Sequence, residues 1–382
     1  MTPAWLLPEY VEDILPHAAR AAESQRRRLL DLFDAHGYDL VVPPLAEYLD
    51  SLLTGAAQGL DLKTFKVVDG LSGRMLGVRA DMTPQAARID AHLIDHQGPT
   101  RLCYAGPVLR TRPSGMGTRE PFQIGAELFG HAGIEADLEI QALLLAALGE
   151  AGVPDLRLSL GHAGLFRALA EGGGLAGPAA AALFAALRDK DVPEVEALTE
   201  NLGQPWQTAF RALPNLYGGR AALAAARAAL PEVPTVTGAL DDLERLLAAG
   251  QGADLAVDLA DLRGDGYHNG VMFAAYAGGQ SRAVALGGRY DGAGAVFGRS
   301  RPATGFSLDL RQILDCLPEP ASRRGILVSQ GSGSAAAEAI ARLRQAGERV
   351  VLELPGHASA RSESGCDRIL VRDGQDWVVQ NL

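Results

Sequence analysis

The sequence predicts an α+β protein of two domains, and three observations predict it. The chain has 382 residues, and at about 150 residues per domain that length calls for two or three folding units. Hydrophobic residues make up 47% and charged residues 21%, enough apolar side chain for a sizeable core. Strand-like and helix-like periodicities intermix up to Pro318, after which the composition changes.

The elements follow in order. Leu7–Pro16 is turn-rich. Ala18–His36 reads as an amphipathic helix, because Leu29, Leu30, Leu32 and Phe33 recur at helical spacing before a terminating Gly37. Tyr38–Val42 is a short strand halted by Pro43 and Pro44. Thr64–Asp81 holds two strands around a turn at Asp69–Gly73, a hairpin signature, and Thr83–Asp95 returns to helix. Arg101–Phe129 alternates strand and loop, and its Thr111–Arg119 segment, with Pro113, Gly115 and Gly117, is expected to be mobile. Glu135–Ala151 is a helix and Leu156–Leu160 a strand, followed by an Ala-rich helical region from about Ala163 to Gly250. Strand patterning resumes over Ala253–Tyr276 and Ala283–Leu286, with a Gly-rich turn and a helix after Gly305. Beyond Pro318, Gly325–Ser329 (strand), Ser334–Ala346 (helix), Glu348–Leu352 (strand) and a hairpin of Asp367–Arg372 with Asp376–Val379 form a small α/β module. That module is near the lower size limit for a self-sufficient core.

Charge and cysteine usage narrow the function. A formal net charge of −11, from 35 basic and 46 acidic residues, argues against a broad nucleic-acid or anionic-membrane surface. Cys103, Cys316 and Cys366 have no metal-type spacing, which fits a reduced, cytoplasmic protein. No basic stretch precedes an apolar N-terminal run, so a secretory signal is not expected. The longest uncharged apolar stretch, Gly172–Leu187, is short for a bilayer span and contains Pro178. Gly331-Ser332-Gly333 lacks the Lys of a P-loop and the third Gly of a dinucleotide fingerprint. With no zinc spacing and no nucleophile elbow either, no cofactor or metal is expected.

Three segments place polar groups at period-two spacing, aiming them at one face of a strand. In Glu120–Gly130, Gln123, Gly125 and Glu127 share a face, opposite Ile124, Ala126 and Leu128. A Gln and a Glu flanking a Gly make a ligand floor that a ligand could approach closely; a solvated strand face explains the pattern equally well. In Val78–Thr83, Arg79, Asp81 and Thr83 alternate outward; Asp81 can hold an ammonium group or cap the helix opened by Thr83–Pro84. Asp261–Phe273, read as one strand, gathers Arg263, Tyr267 and His268. An Arg fork suits a carboxylate or phosphate, whereas a single His is more often structural. The Arg26–Arg28 run reads as a solvated helix face.

Together, LPEYVEDILP at Leu7–Pro16, the Leu102–Gly130 segment, the DLRGDGYHNGVMF segment and LGGRYDGAGAVFGRSRPATGFSLDL at Leu286–Leu310 resemble, in order, the catalytic domain of class II histidyl-tRNA synthetases. The resemblance covers Leu7 to Leu317. It implies an antiparallel sheet flanked by helices, a homodimer-forming core and a helical insertion, here about 163–250. The first domain is then 1–318, followed by a small domain at 319–382. It further implies that Asp81, helped by Thr83, holds the ammonium of free histidine. The imidazole meets Gln123, Glu127, Tyr267 and His268 with Tyr290 nearby; Arg263 faces the carboxylate, and Arg110 is a further candidate.

The chain departs from the synthetases where ATP is handled. Thr111-Arg112-Pro113 directly follows Arg110, where a His-Glu-Arg-Pro run is usual, and Gln312 stands where an Arg on the ATP phosphates is expected, preceded by Arg311 in place of Glu. Adenylate formation needs preorganised positive charge on the polyphosphate. Gly266 and His268 replace a usual Asp and Tyr, and the large anticodon-reading domain is replaced by a shorter module. SLLTG, LSGR, RADMTPQAARIDAHL and RLCYAG are similar to the synthetase-like paralogue family of ATP phosphoribosyltransferase regulatory subunits. That resemblance implies a non-catalytic chain in histidine biosynthesis. Its partner is a short-form catalytic subunit in a hetero-oligomer, commonly an octamer, with self-association as a dimer and histidine as feedback effector. A shortened ligase that activates histidine and a tRNA-binding sensor are the alternatives; Gln312 speaks against the first and the −11 charge against the second.

Overall fold

The computed structural model describes residues 5–54, 59–94, 96–113, 117–250, 253–263, 267–292, 298–319 and 324–382. The chain divides into two compact units, Met1–Pro318 and Glu319–Leu382.

The first unit opens with α1 (Pro16–Ala35), which buries Gln25, Leu29 and Phe33 and ends before Gly37 at φ +80°. β1 (Asp39–Leu40) follows, then β2 (Ala46–Tyr48), α2 (Leu49–Leu53) and α3 (Leu60–Lys63). The expected hairpin is present as β3 (Phe65–Val68) and β4 (Met75–Val78), and β2 joins it in a three-stranded sheet of order β2-β4-β3. Asp69 closes its turn, accepting from the backbone N–H groups of Leu71 and Ser72. α4 (Thr83–Ile89) widens into a π-helical turn at Asp90–Ile94.

β5 (Thr100–Pro107), β6 (Phe122–Phe129), α5 (Ile134–Ala151) and β7 (Arg157–His162) lead into the Ala-rich region. There the helices are α6 (Ala163–Gly172), α7 (Gly177–Arg188), α8 (Val192–Leu198), α9 (Trp206–Ala212), α10 (Arg220–Ala229) and α11 (Pro234–Ala249), with β8 (Tyr217–Gly218) between α9 and α10. β9 (Asp254–Asp258), β10 (Val271–Tyr276), β11 (Ala283–Arg289), β12 (Ala303–Asp309) and α12 (Leu310–Asp315) complete the unit.

Nine strands form one sheet of order β1-β5-β6-β12-β11-β10-β7-β9-β8. From β5 to β7 every neighbouring pair is antiparallel; β1/β5 and β7/β9 are parallel. A parallel pair needs a crossover, and α6 to α11 supply it between β7 and β9. The sheet has two buried faces. Ile124, Ala126 and Leu128 of β6 join Leu29, Phe33, Ile140, Leu144 and Phe306 in the core under α1 and α5. On the other face Leu102, Tyr104, Phe129 and Tyr290 pack against Met82, Ala86 and Ala87 of the α4 region. The alternation read from the β6 sequence therefore separates an apolar core from a second, mixed face.

Two expectations are corrected. Asp261–Phe273 is not one strand: after β9 the chain turns, and pairing restarts only at Val271. Asp258 accepts from the N–H of Ala260 and Asp261 from that of Arg263, so aspartate side chains compete with the ladder for the backbone. Gly305 lies within a strand, and the helix starts at Leu310, where Asp309 caps it by accepting from the N–H of Arg311. Residues 114–116 of the Thr111–Arg119 loop, and Gly266, lie outside the described residues.

The second unit is a four-stranded sheet of order β14-β13-β15-β16, built from β13 (Gly325–Val328), α13 (Ala337–Gln345), β14 (Val350–Leu352), β15 (Cys366–Asp373) and β16 (Asp376–Asn381). Ile326, Val328, Ile340 and Leu370 are its core. Among the described residues no helix is long and apolar enough to cross a membrane.

Arg301 locks α4 to the sheet. Its guanidinium donates to Asp90 at 2.7 Å, to Thr100 at 3.2 Å and to the Gly98 carbonyl, and both charges are buried. Arg301→Met strands the Asp90 carboxylate and should lower the unfolding free energy in urea by about 3–5 kcal/mol. The double change Asp90→Leu with Arg301→Met should lose clearly less, because no buried charge is then left alone.

Candidate functional site

Glu127 of β6 is 1% exposed on the sheet face that α4 covers. Its register partner on β12 is Gly305, where an added Cβ would come within 1.7 Å of Glu127 Oε2. Tyr104 of β5 stands opposite Gly125 in the same way, and a Cβ there would sit 2.5 Å from the Tyr104 hydroxyl. Gly125 thus clears space for a neighbouring side chain, not for a ligand, which corrects the reason given for it above. Arg79 is likewise structural: it turns inward and donates to the carbonyls of Pro107 and Pro43.

A chain of hydrogen bonds runs through the site. Asp81 Oδ1 accepts from the Thr83 N–H at 2.9 Å and from Gln123 Nε2 at 2.8 Å, while Gln123 Oε1 accepts from the Met82 N–H at 2.9 Å. Tyr104 Oη donates to Glu127 Oε1 at 2.8 Å, so its one proton is used and the 2.9 Å contact with Thr83 Oγ1 is a bond that Thr83 donates. Tyr290 Oη donates to Glu127 Oε2 at 2.5 Å. Tyr267 stacks on Tyr290 with ring centroids 5.1 Å apart and meets His268 edge-on at 5.2 Å.

Burial pushes the Glu127 carboxyl up to about 8, although bonds from Tyr290 and Tyr104 favour its ionised form. Burial, reinforced by Glu127, also holds the phenols of Tyr104, Tyr267 and Tyr290 well above their usual value. The His268 ring is pushed down to about 4, again by burial, and is neutral at physiological pH. Among the described residues two buried polar atoms here have no partner: Tyr267 Oη and His268 Nδ1. Buried groups are as a rule hydrogen-bonded, so such orphans mark where a polar ligand gains most.

Asp81, Thr83, Gln123, Glu127 and Tyr290 are therefore one bonded cluster, with Tyr267 stacked on Tyr290 and His268 edge-on to Tyr267. Tyr104, its central link, was missed by sequence reasoning; the signal was its place on β5 directly across from a glycine, which only the strand register reveals. Arg110 and Arg263 lie elsewhere. With Gln123 they line an open trough of about 490 Å³ that also holds Arg282, Asp309 and Gln312. Arg110 Nε donates to the Ala80 carbonyl at 3.2 Å. Arg263 is held by both oxygens of Asp261 and by the Tyr276 hydroxyl.

At the trough's end the groups that replace the expected phosphate-binding Arg are engaged internally. Gln312, with its amide turned to satisfy both ends, donates to the Ala283 carbonyl at 3.0 Å and accepts from Arg282 at 2.6 Å. Arg311 pairs with Glu12 at 3.4 Å and Glu120 at 3.6 Å. Among the described residues no group of His, Cys, Asp or Glu is placed to hold a metal ion. The arrangement can bind a ligand carrying N–H groups and a positive charge.

The chain matches the family of histidyl-tRNA synthetases over residues 10–313 and the C-terminal domain of the ATP phosphoribosyltransferase subunit HisZ over residues 323–380. It is 54% identical over 377 residues to the ATP phosphoribosyltransferase regulatory subunit of Burkholderia cenocepacia (strain HI2424), covering 98% of this chain and 99% of that one. It is 55% identical over 379 residues to the protein of the same name from Ralstonia nicotianae, covering 99% and 98%. Among solved structures, an ATP phosphoribosyltransferase regulatory subunit/histidyl-tRNA synthetase from Bacillus halodurans superposes with a TM-score of 0.87 at 28% identity, covering 97% of this chain and 98% of that one. Histidyl-tRNA synthetase from Nostoc sp. PCC 7120 gives 0.79 at 17% identity, covering 99% and 97%, a likeness of fold alone. With such identity along nearly its whole length, the chain belongs to the family of ATP phosphoribosyltransferase regulatory subunits, built on the histidyl-tRNA synthetase fold.

Proposed function

We propose that this chain serves, without catalysing a step itself, as the regulatory subunit of a hetero-oligomeric ATP phosphoribosyltransferase, and that free histidine binds at Glu127 to inhibit the complex. The observation that carries the ligand assignment is the buried Glu127 carboxylate, fixed by two phenols beside the orphaned Tyr267 Oη and His268 Nδ1. A ring with two nitrogens complements that set. Asp81 Oδ1 is occupied, and among the described residues nothing bonds Oδ2, which is left for the ammonium group. Arg263, fixed by Asp261, is the cation for the carboxylate.

The internal engagement of Arg311 and Gln312 supports a chain that does not activate the amino acid, because the polyphosphate then lacks its preorganised charge. Histidine favours an inhibited arrangement of the complex, and the coupling is reciprocal: the catalytic partner in turn changes histidine affinity. A second copy of this chain would cover exposed apolar residues at the β1 edge and the segment after it, Leu40, Val42 and Leu45, and on the separate β3/β4 hairpin, Val67, Val68 and Met75. Four regulatory and four catalytic chains is the stoichiometry the family resemblance implies.

Reconstitution tests the reading. A short-form catalytic subunit should form phosphoribosyl-ATP only with this chain present, and histidine should suppress it. Glu127→Gln should weaken histidine binding by about 1.5–3 kcal/mol, the worth of a bond to a charged group, and Asp81→Ala should abolish inhibition while activation persists. Inhibition unchanged by both would move histidine to a subunit interface. Histidine-dependent pyrophosphate exchange should be absent.

The pH dependence follows from the raised Glu127 carboxyl. Between about 6.5 and 8 the free chain holds a proton on Glu127 while free histidine has a neutral ring. The complex shares that one proton, so affinity should be flat there. Below this window a proton must leave on binding, and above it one must be taken up, so affinity should fall on both sides by up to about tenfold per pH unit. Glu127→Gln should remove the alkaline limb in calorimetric titrations. In the free chain the native state keeps a proton that the unfolded state loses near 4.5. Stability should therefore fall as pH rises from 4.5 to about 8, and this slope should vanish in Glu127→Gln.

A further inference from the structure

Behind His268 lies a second cavity, which shares only His268 and Arg263 with the histidine reading. It encloses about 290 Å³ between α6, α7 and the segment leading into β10. Its walls are apolar: Phe166, Leu175, Phe184 and Met272. Phe166 and Phe184 meet edge-to-face at 5.1 Å yet remain only half-buried, because the cavity opens onto them. Among the described residues, its two free charges lie one turn apart on the same face of α6. Arg167 and Glu171 of α6 both border the cavity, both are exposed, and neither forms an ion pair among the described residues. Arg263 adds a guanidinium oriented by Asp261 and Tyr276.

We propose that this cavity is a second ligand site, for a free α-amino acid with an apolar side chain of leucine to phenylalanine size. The volume is at the small end for a ligand pocket and suits a compact metabolite, not a nucleotide. The apolar walls take the side chain, Arg167 takes the carboxylate and Glu171 takes the ammonium group. A carboxylic acid without an amine leaves Glu171 unmatched, and an amine without a carboxylate leaves Arg167 unmatched. His268 borders this cavity and touches Tyr267, which stacks on Tyr290, so occupancy is felt at Glu127. That coupling rests on the histidine reading above; the binding itself does not.

Calorimetric titration of the full chain with L-phenylalanine, 3-phenylpropionate and phenethylamine tests the proposal. Phenylalanine should bind, and each analogue lacking one charge should bind about tenfold more weakly, as should phenylalanine to Arg167→Ala. Ala180→Trp, which fills the cavity from half-buried α7, should abolish phenylalanine binding while histidine still binds and the thermal midpoint holds. Should that variant not fold, Glu171→Gln takes its place, with a tenfold loss expected for phenylalanine and none for 3-phenylpropionate. Absence of binding to the wild-type chain at about 20 mM phenylalanine overturns the site, as does equal binding by all variants. Phenylalanine binding without histidine binding upholds this site and removes the histidine reading instead.

Discussion

A carboxylate taken out of water between two strands sets most of what surrounds it. As an ion Glu127 would cost several kcal/mol; the two phenols aimed at its oxygens offset part of that, and burial keeps the group protonated up to about pH 8. Those phenols come from β5 and β11, strands on opposite sides of the β6/β12 pair. The sheet order, and not the local sequence, brings them to one point. Glycine at Gly305 gives the carboxylate its volume, and glycine at Gly125 gives Tyr104 its own.

The arginines that could be taken for ligand-binding cations are largely absorbed by the scaffold. Arg289 is buried against Asp137 at 2.6 Å and also donates to the carbonyls of His131 and Gly133, holding the strand that ends in Tyr290. Arg79 ties two proline carbonyls together, and Arg311 is spent on glutamates. In a chain where lysine is nearly absent, the planar, multiply donating guanidinium does the work of bracing loops. Where the related synthetases are expected to present positive charge to a polyphosphate, this chain has a neutral amide bonded to its own backbone.

Much of this was legible beforehand. The period-two run at Gln123–Glu127 correctly placed two polar groups on one face, and the Asp69–Gly73 turn, α1 and α5 fell where spacing put them. The motif order carried the fold and the family. What local pattern could not carry was partnership across strands: that Tyr104 faces Gly125, that Gly305 lies under Glu127, and that Arg263 answers to Asp261. Register is a property of two segments at once, and a single stretch of sequence shows only one of them. The misread strand at Asp261–Phe273 has a local cause, since Asp258 and Asp261 bind nearby backbone N–H groups and end the ladder before Val271 resumes it.

The position of β12 has a consequence for how the protein is made. β6 is flanked by β5, its near neighbour in sequence, and by β12, which follows the whole helical insertion. On the ribosome the β5/β6 hairpin emerges with one edge bare, and that edge stays open while α5 to α11 and five further strands, β7 to β11, are synthesised. Glu127 has neither Gly305 beneath it nor Tyr290 bonded to it until then, so the nascent hairpin carries a solvated carboxylate on an otherwise apolar strand. A charge at that place guards an unfinished edge against pairing with another chain.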